Sequence, residues 1–270
     1  MRGMRLDQAI AARYPGISRR KARELLAGHR VLVNDRPVAV ASRHVNESDR
    51  VAILNELPEV PILRMTADWI AVDKPSGLAV QPIRDRSQRS LEELLRVQLK
   101  REEGGRELFV VHRLDTGTSG VVLFARNEIM AAKLSRLFAA AEIAKRYLAV
   151  VEGTLTGERT IDTPIARESE SRFTTDGDDG KSAVTVVKAI RPLGERTLVE
   201  VEIKTGRTHQ IRVHLASIGH PVTGDRKYGS GTVGKRLMLH AWQLSHPLFG
   251  ELVSPPPSGF ENPAATEGVP

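Results

Sequence analysis

The sequence predicts an α+β fold: a largely antiparallel mixed sheet with flanking helices, preceded by a small α/β unit. Three observations predict it. Many short strand-like segments are joined by tight turns, and some alternate cleanly, as "LVEVEIKTG" does over 198–206. Helical segments are interspersed among them without a regular βαβ rhythm. A length of 270 residues suggests two domains, and Pro58 and Pro61 bracket a break, because proline interrupts strand and helix alike. The expected division is 1–56, 57–253 and a proline-rich tail, 254–270, that is extended or disordered.

In the first unit, Leu6, Ala9 and Ile10 recur at helical spacing. Ser18 caps a second short helix that ends at Gly28. "VLVND" is a strand running into an Asn34–Asp35 turn, and "DRVAIL" is a second strand. The second helix carries Arg19, Arg20, Lys21 and Arg23, with Ala22, Leu25 and Leu26 on its apolar side. Glu24 alone cannot offset four cations, so this face, with Arg30 just beyond it, suits a phosphate backbone. The order of elements and "RLDQAIAARYPGISRRKARELLAGHRVLVNDRPV" resemble the small α/β RNA-binding (alpha-L) domain first described in ribosomal protein S-four.

In the larger region, "WIAVDKPSGLAV" reads as strand, Lys-Pro-Ser-Gly turn, strand. Ser90 and Glu93 form a capping box for a helix through Leu94, Leu95 and Leu99, stopped by Gly104–Gly105. The valines of "VVHRLDTGTSG" (110–120) end one buried strand, and Val121 to Ala125 begin another. Asn127 caps a helix that turns Met130, Leu134, Leu137, Phe138 and Ala141 inward. "KRYLAVVEG" is a strand, and 158–182 is a polar, mostly extended excursion. After "LVEVEIKTG", Thr208 caps a helix whose inward stripe is Ile211, Leu215 and Ile218, ended by Gly219.

Composition excludes several chemistries. With no cysteine there are no disulfides, no thiolate nucleophile and no cysteine-ligated zinc. His209 and His214 diverge by about 140° on a helix, and no carboxylate has zincin-like spacing, so no metal site is expected. "TGTSG" lacks the Gly-x-Ser-x-Gly elbow, and Ser119 reads as turn chemistry rather than a nucleophile. No apolar run approaches a membrane span and the N-terminus lacks a secretory segment, so a cytoplasmic location is expected. A net charge of +7 favours a polyanionic partner, and 4% aromatic content argues against base-stacking platforms as the main binding device.

Two stretches carry candidate chemistry. Asp115 is a poor general base at neutral pH, but as a positioned carboxylate it can be a nucleophile or stabilise a cationic sugar centre. Either role calls for a nearby cation, with Arg113 and Arg212 as candidates; "HRLD" taken alone also reads as a structural ion pair. In Lys204-Thr-Gly-Arg-Thr-His-Gln-Ile-Arg-Val-His-Leu215, Arg207 and Arg212 sit at the start of a helix, where backbone N–H groups attract an anion.

Together "HRLDTGTSG", "KRYLAVVEG", "GKSAVT", "KTGRTHQIRVHLASIGHPVTGDRKYG" and "LHAW" closely resemble, in that order, the RluA-type family of RNA pseudouridine synthases, over about residues 60 to 250. The resemblance implies an isomerase that breaks the N-glycosidic bond of a uridine in ribosomal or transfer RNA and rejoins the base through carbon, with no cofactor and no metal. It implies that Asp115 is catalytic, Tyr147 lies against the uracil, Arg212 pairs with the aspartate and Arg113 displaces the base. Further substrate contacts are expected from His112, Arg207, Thr208, His209 and Gln210. The alternative is a non-catalytic RNA-binding or ribosome-assembly protein on the same fold. Thr116 and Gln81 depart from the family's usual basic residue and histidine, at positions that can alter RNA contacts. A monomer is expected.

Overall fold

The computed structural model describes residues 3–27, 30–34, 36–38, 40–54, 59–82, 89–103, 107–177, 179–229 and 236–257. The chain forms two compact units, Met1–Val60 with Leu78–Arg106, and Pro61–Gly77 with Glu107–Pro270.

The first unit contains β1 (Met4–Arg5), α1 (Leu6–Arg13), α2 (Arg19–Ala27), β2 (Val31–Val33), β3 (Arg36–Pro37), β4 (His44–Val45), β5 (Val51–Ile53) and α3 (Leu91–Glu103). Strand β2 is central to an antiparallel β3-β2-β5 sheet, and β1 pairs with β4. The apolar stripes of α1 (Leu6, Ala9, Ile10) and α2 (Ala22, Leu25, Leu26) close on Val31 and Val33 as one core. Both expected caps form. Ser18 Oγ accepts the Lys21 N–H at 3.1 Å. Ser90 and Glu93 exchange reciprocal bonds, from the Ser90 N–H to Glu93 Oε2 at 2.8 Å and from the Glu93 N–H to Ser90 Oγ at 3.2 Å. One expectation is corrected: 78–80 is not a strand. The carbonyls of Ala79 and Val80 instead accept the Leu91 and Glu92 N–H groups, orphan donors of the first turn of α3. The expected helix stops at Gly28 and Gly104–Gly105, the turn residue Asp35 and the break residue Pro58 lie outside the described residues.

The second unit is built on a ten-stranded sheet. Its strands are β6 (Ile62–Met65), β7 (Trp69–Lys74), β8 (Phe109–Val110), β9 (Ser119–Ala125), β10 (Ala144–Glu152), β11 (Glu158–Asp162), β14 (Val184–Leu193), β15 (Arg196–Ile203), β16 (Leu239–His246) and β17 (Gly250–Val253); β12 (Ala166–Arg167) and β13 (Phe173–Thr174) pair separately. The order is β11-β14-β15-β10-β16-β9-β7-β6, with β17 on β16 and β8 on β9. Every pairing is antiparallel except β9 with β16. At that parallel contact Gly120 has φ +115°, and a Cβ there would fall inside the radius of the Ala241 carbonyl oxygen. Only glycine fits.

Two helices cover the sheet. In α4 (Glu128–Ala139), Asn127 Oδ1 accepts the Met130 N–H at 2.8 Å, and Leu134 packs on Val121, Leu123 and Ala125. Ala141, expected inward on this helix, lies beyond its end at φ 57° and is exposed. Its left-handed backbone lets the Glu142 N–H reach the Leu137 carbonyl at 3.0 Å, a helix-terminating bond usually made with glycine. Helix α5 (Gln210–Ser217) buries Ile211 and Leu215 in the cluster formed by β10, β15 and β16. No helix among the described residues is long and apolar enough to cross a membrane. Ser254, at the start of the tail, is buried and bonded to the Trp242 carbonyl; 258–270 lie outside the described residues.

Candidate active site

Strands β8 and β9 form a hairpin, and the 111–118 loop between them carries His112, Arg113 and Asp115. This loop is held from below by the Lys74-Pro-Ser-Gly77 turn. The Gly77 N–H donates to the Thr116 carbonyl at 2.8 Å, Ser76 Oγ to the Gly117 carbonyl at 2.6 Å, and Lys74 Nζ to the Pro75 and Thr116 carbonyls at 3.0 and 3.3 Å. Lys74 is fully buried, and that burial, opposed by Asp115, lowers its pKa to about 7. At the far side of the loop Ser119 is buried between His240 Nδ1 (2.9 Å) and Arg236 Nη2 (2.8 Å), while His240 Nε2 reaches the Ser254 carbonyl at 2.7 Å. Ser119, expected as a turn residue, is instead the first residue of β9 and braces the end of the loop through its side chain.

The other wall comes from α5. Arg212 Nη1 donates to Asp115 Oδ2 at 2.9 Å, and its Nε and Nη2 donate to the two oxygens of Asp225 at 2.7 and 2.8 Å. The Asp225 side chain is completely buried and also accepts the Lys227 and Tyr228 N–H groups. Burial alone raises a carboxyl pKa, but Arg212 and these N–H donors hold Asp225 below the usual range. Burial likewise works against the Arg212 charge, and Asp225, then Asp115, more than compensate, so its pKa rises. One fork of the guanidinium is locked to Asp225, and the remaining nitrogen is aimed at Asp115.

His209 caps α5 in a left-handed conformation, φ 57°, with no side-chain capping bond. This corrects the expectation that Thr208 is the cap; Thr208 is exposed in the turn before the helix. The physical reason lies in Gln210. Its Oε1 accepts from Thr205 Oγ1 (2.7 Å) and the Arg207 N–H (3.0 Å), and its Nε2 donates to the Val184 carbonyl and to Thr185 Oγ1, both at 3.0 Å. All its hydrogen-bonding positions are used within the protein, so Gln210 shapes the loop rather than offering a polar group to a substrate. Arg207 Nε donates to the Ser182 carbonyl at 3.0 Å. His209 Nδ1 lies 2.7 Å from the Tyr228 hydroxyl, whose oxygen accepts the Phe173 N–H at 3.1 Å. With the hydroxyl donating to Nδ1, the ring presents Nε2–H toward Asp115 Oδ2, 3.8 Å away. Burial lowers the His209 pKa, consistent with this neutral tautomer. Tyr228 also lies beneath Arg212, 5.1 Å from its ring centre.

The floor comes from β10. Tyr147, 8% exposed, projects from the side of the strand that also carries Lys145, and a register shift in the β10–β16 pairing falls at this point. Burial, then Asp115, raises the Tyr147 pKa. His112 stacks on Phe138 at 4.2 Å and its Nε2 accepts the Leu123 N–H at 2.9 Å; burial, helped by Lys145, lowers its pKa to about 3. Asp115, Arg113, Arg212, Tyr147, His112, Arg207, His209 and Gln210 therefore line one cavity of about 290 Å³, at the small end for a ligand site. Thr208 is the one expected contact that does not line it.

His214 is buried between Thr185 Oγ1 and the Thr163 carbonyl, and no cluster of three or more potential ligands occurs among the described residues. In the first unit, Arg19 and Arg23 both reach the fully buried Asp7, at 3.3 and 2.9 Å, with Arg5 at 3.2 Å, while Arg20 and Lys21 share Glu24. Arg30 Nε holds the Leu54 carbonyl. Asp7, Lys74, Lys145, Asp225 and Tyr228 are absent from the sequence-based site. "GDRKYG" contains the last two, but only their distance from Arg212 and His209 reveals what they do.

Comparison with known proteins gives a consistent result. The family model for RNA pseudouridylate synthase matches residues 68–217, and that for the S4 domain matches residues 4–51. An uncharacterized RNA pseudouridine synthase of Aquifex aeolicus (strain VF5) is 38% identical, across 92% of this chain and 87% of the relative. Ribosomal large subunit pseudouridine synthase D of Zymomonas mobilis is 33% identical, across 94% and 89%. Among solved structures, human RNA pseudouridylate synthase domain containing 4 superposes with a TM-score of 0.64 at 26% identity, covering 74% of this chain and 90% of that one. The human domain containing 1 protein superposes with 0.62 at 29% identity, covering 74% and 84%.

Proposed function

The chain belongs to the RNA pseudouridylate synthase family and is an isomerase acting on RNA, and we propose that Asp115 is the catalytic group that converts specific uridines of ribosomal or transfer RNA to pseudouridine. The observation that carries this reading is the Arg212–Asp115 contact at 2.9 Å in the cavity wall, with Arg212 itself anchored on buried Asp225. A carboxylate fixed in direction by one hydrogen bond can attack the sugar or stabilise positive charge on it, and His209 Nε2 faces the same oxygen.

The target uridine leaves its stack and enters the cavity, where Tyr147 lies against the base and Arg113, exposed at the rim, fills the space it leaves. Unstacking costs a few kcal/mol, which backbone contacts offset. Arg19, Arg20, Lys21, Arg23 and Arg30 of the S4 domain supply part of that contact, with Arg19 and Arg23 both held on Asp7 Oδ2. The domains are 1–56 for RNA binding and 57–253 for catalysis, followed by the tail. The reaction moves one bond from nitrogen to carbon and exchanges one proton, with no net oxidation, so its balance calls for no redox cofactor. Pseudouridine mapping of total RNA from cells with and without this gene tests the reading. Specific uridines in ribosomal or transfer RNA should lose modification when the gene is absent; an unchanged map overturns it.

A further inference from the structure

Lys145 is a buried cation that the functional reading leaves unused. It is 6% exposed, it projects from the same side of β10 as Tyr147, and its side chain lines the cavity together with His112 and Phe138. Its ammonium approaches Gly206, where a Cβ would meet Nζ at 4.0 Å. Among the described residues it has neither a hydrogen-bond acceptor nor a carboxylate within salt-bridge reach. A desolvated ammonium without a partner is costly to maintain, and burial accordingly lowers its pKa. Core lysines are normally paired; one that is not, and that opens into a cavity, is placed for a ligand acceptor.

Resting on the isomerase reading, we propose that Lys145 donates to a carbonyl oxygen of the flipped uracil and stabilises the negative charge that forms on the base. When the C1′–N1 bond breaks, its electron pair stays with N1 and the charge spreads onto the two carbonyl oxygens. When C5 then bonds to C1′, the C5 proton is lost and N1 gains one, so no charge or electron is left over. The detached base needs a cation during this interval. Arg212 does not supply it, because two carboxylates on one guanidinium leave that cluster net negative. Arg113 and Arg207 are exposed at the rim and suit the phosphate backbone. Lys145 lies inward, beside the tyrosine expected against the base, where the low local dielectric strengthens its interaction with a developing negative charge.

The test compares wild type, Lys145→Met and Lys145→Arg on RNA extracted from cells lacking this gene, reading single-turnover pseudouridine formation, RNA affinity and its salt dependence. Lys145→Met, close in shape, should lose about 10²-fold in rate with affinity and salt slope unchanged; Lys145→Arg should recover part of the rate. A Met variant that turns over like wild type overturns the proposal. So does one that binds RNA more weakly with a salt slope flatter by roughly 0.7, the mark of a single-strand phosphate contact. If Lys145→Met does not fold, Lys145→Gln is read in its place, and failure of both makes the lysine a core element and ends the proposal. Wild type that forms no pseudouridine on this RNA instead overturns the functional reading on which the proposal stands.

Discussion

Two carboxylates hold Arg212, and replacing each by its amide should separate structure from chemistry. Asp225 is completely buried and accepts four hydrogen bonds, two from Arg212 and one each from the Lys227 and Tyr228 N–H groups. Removing one partner of a buried ion pair costs about 3–5 kcal/mol, because the other charge is left uncompensated. Asparagine keeps one acceptor oxygen, so Asp225→Asn should cost about 3 kcal/mol, the low end of that range. For a unit of this size that lowers the melting temperature by roughly 6–12 °C. Asp115 is 24% exposed and takes a single bond from Arg212, so Asp115→Asn should cost no more than about 1 kcal/mol. The sign with pH follows from the lowered Asp225 pKa. Its contribution is complete above the ordinary carboxylate value and is lost as pH falls through the folded one, so wild type and Asp225→Asn should converge in acid. Scanning calorimetry between pH 7 and pH 3 reads all three. A melting temperature for Asp225→Asn within 2 °C of wild type at pH 7, or a larger loss for Asp115→Asn, would refute the assignment of Asp225 as the anchor.

Three further outcomes are expected. Tyr228→Phe leaves His209 Nδ1 and the Phe173 N–H without their shared partner, costing about 1–3 kcal/mol in urea unfolding; an unchanged midpoint contradicts the bracing role of this hydroxyl. Gly120→Ala drives a Cβ into the Ala241 carbonyl at a left-handed φ and should cost about 3 kcal/mol or more, read as lost soluble yield and lowered melting temperature. In the first unit, hydrogen bonds from Arg23, Arg5 and Arg19 lower the Asp7 pKa from 3.8 to about 2 although burial works the other way, so its stabilisation holds above about pH 4 and fades as pH falls toward 2. Asp7→Asn should flatten that acid-side decline, and should leave the salt slope of RNA binding unchanged, whereas Arg20→Gln with Lys21→Gln should reduce it by up to about 1.4 on single-stranded RNA.

Local chemistry made much of the fold legible. Ser18, the Ser90–Glu93 pair and Asn127 cap helices where their side chains predict, because a cap is decided within four residues. The failures share a cause. The strand expected at 78–80 gives its carbonyls to α3, twelve residues away, and Thr208 yields the cap position because Gln210 folds back on Thr205 and Arg207. Those choices depend on partners brought by tertiary structure. Chemistry narrowed the partner of Asp115 to Arg113 or Arg212 and the family resemblance chose Arg212, whereas Asp225, fixed by distance across the fold, was not legible at all. Asp7 was hidden for the same reason, since an acidic residue in the first turn of a helix ordinarily faces solvent and the dipole rather than three arginines.

The most direct measurement is single-turnover pseudouridine formation by Asp115→Asn on RNA from cells lacking this gene, with RNA affinity measured on the same samples. The account predicts no detectable product at wild-type affinity and a melting temperature close to wild type. Product formed at a rate near wild type by a folded, RNA-binding Asp115→Asn protein would contradict it.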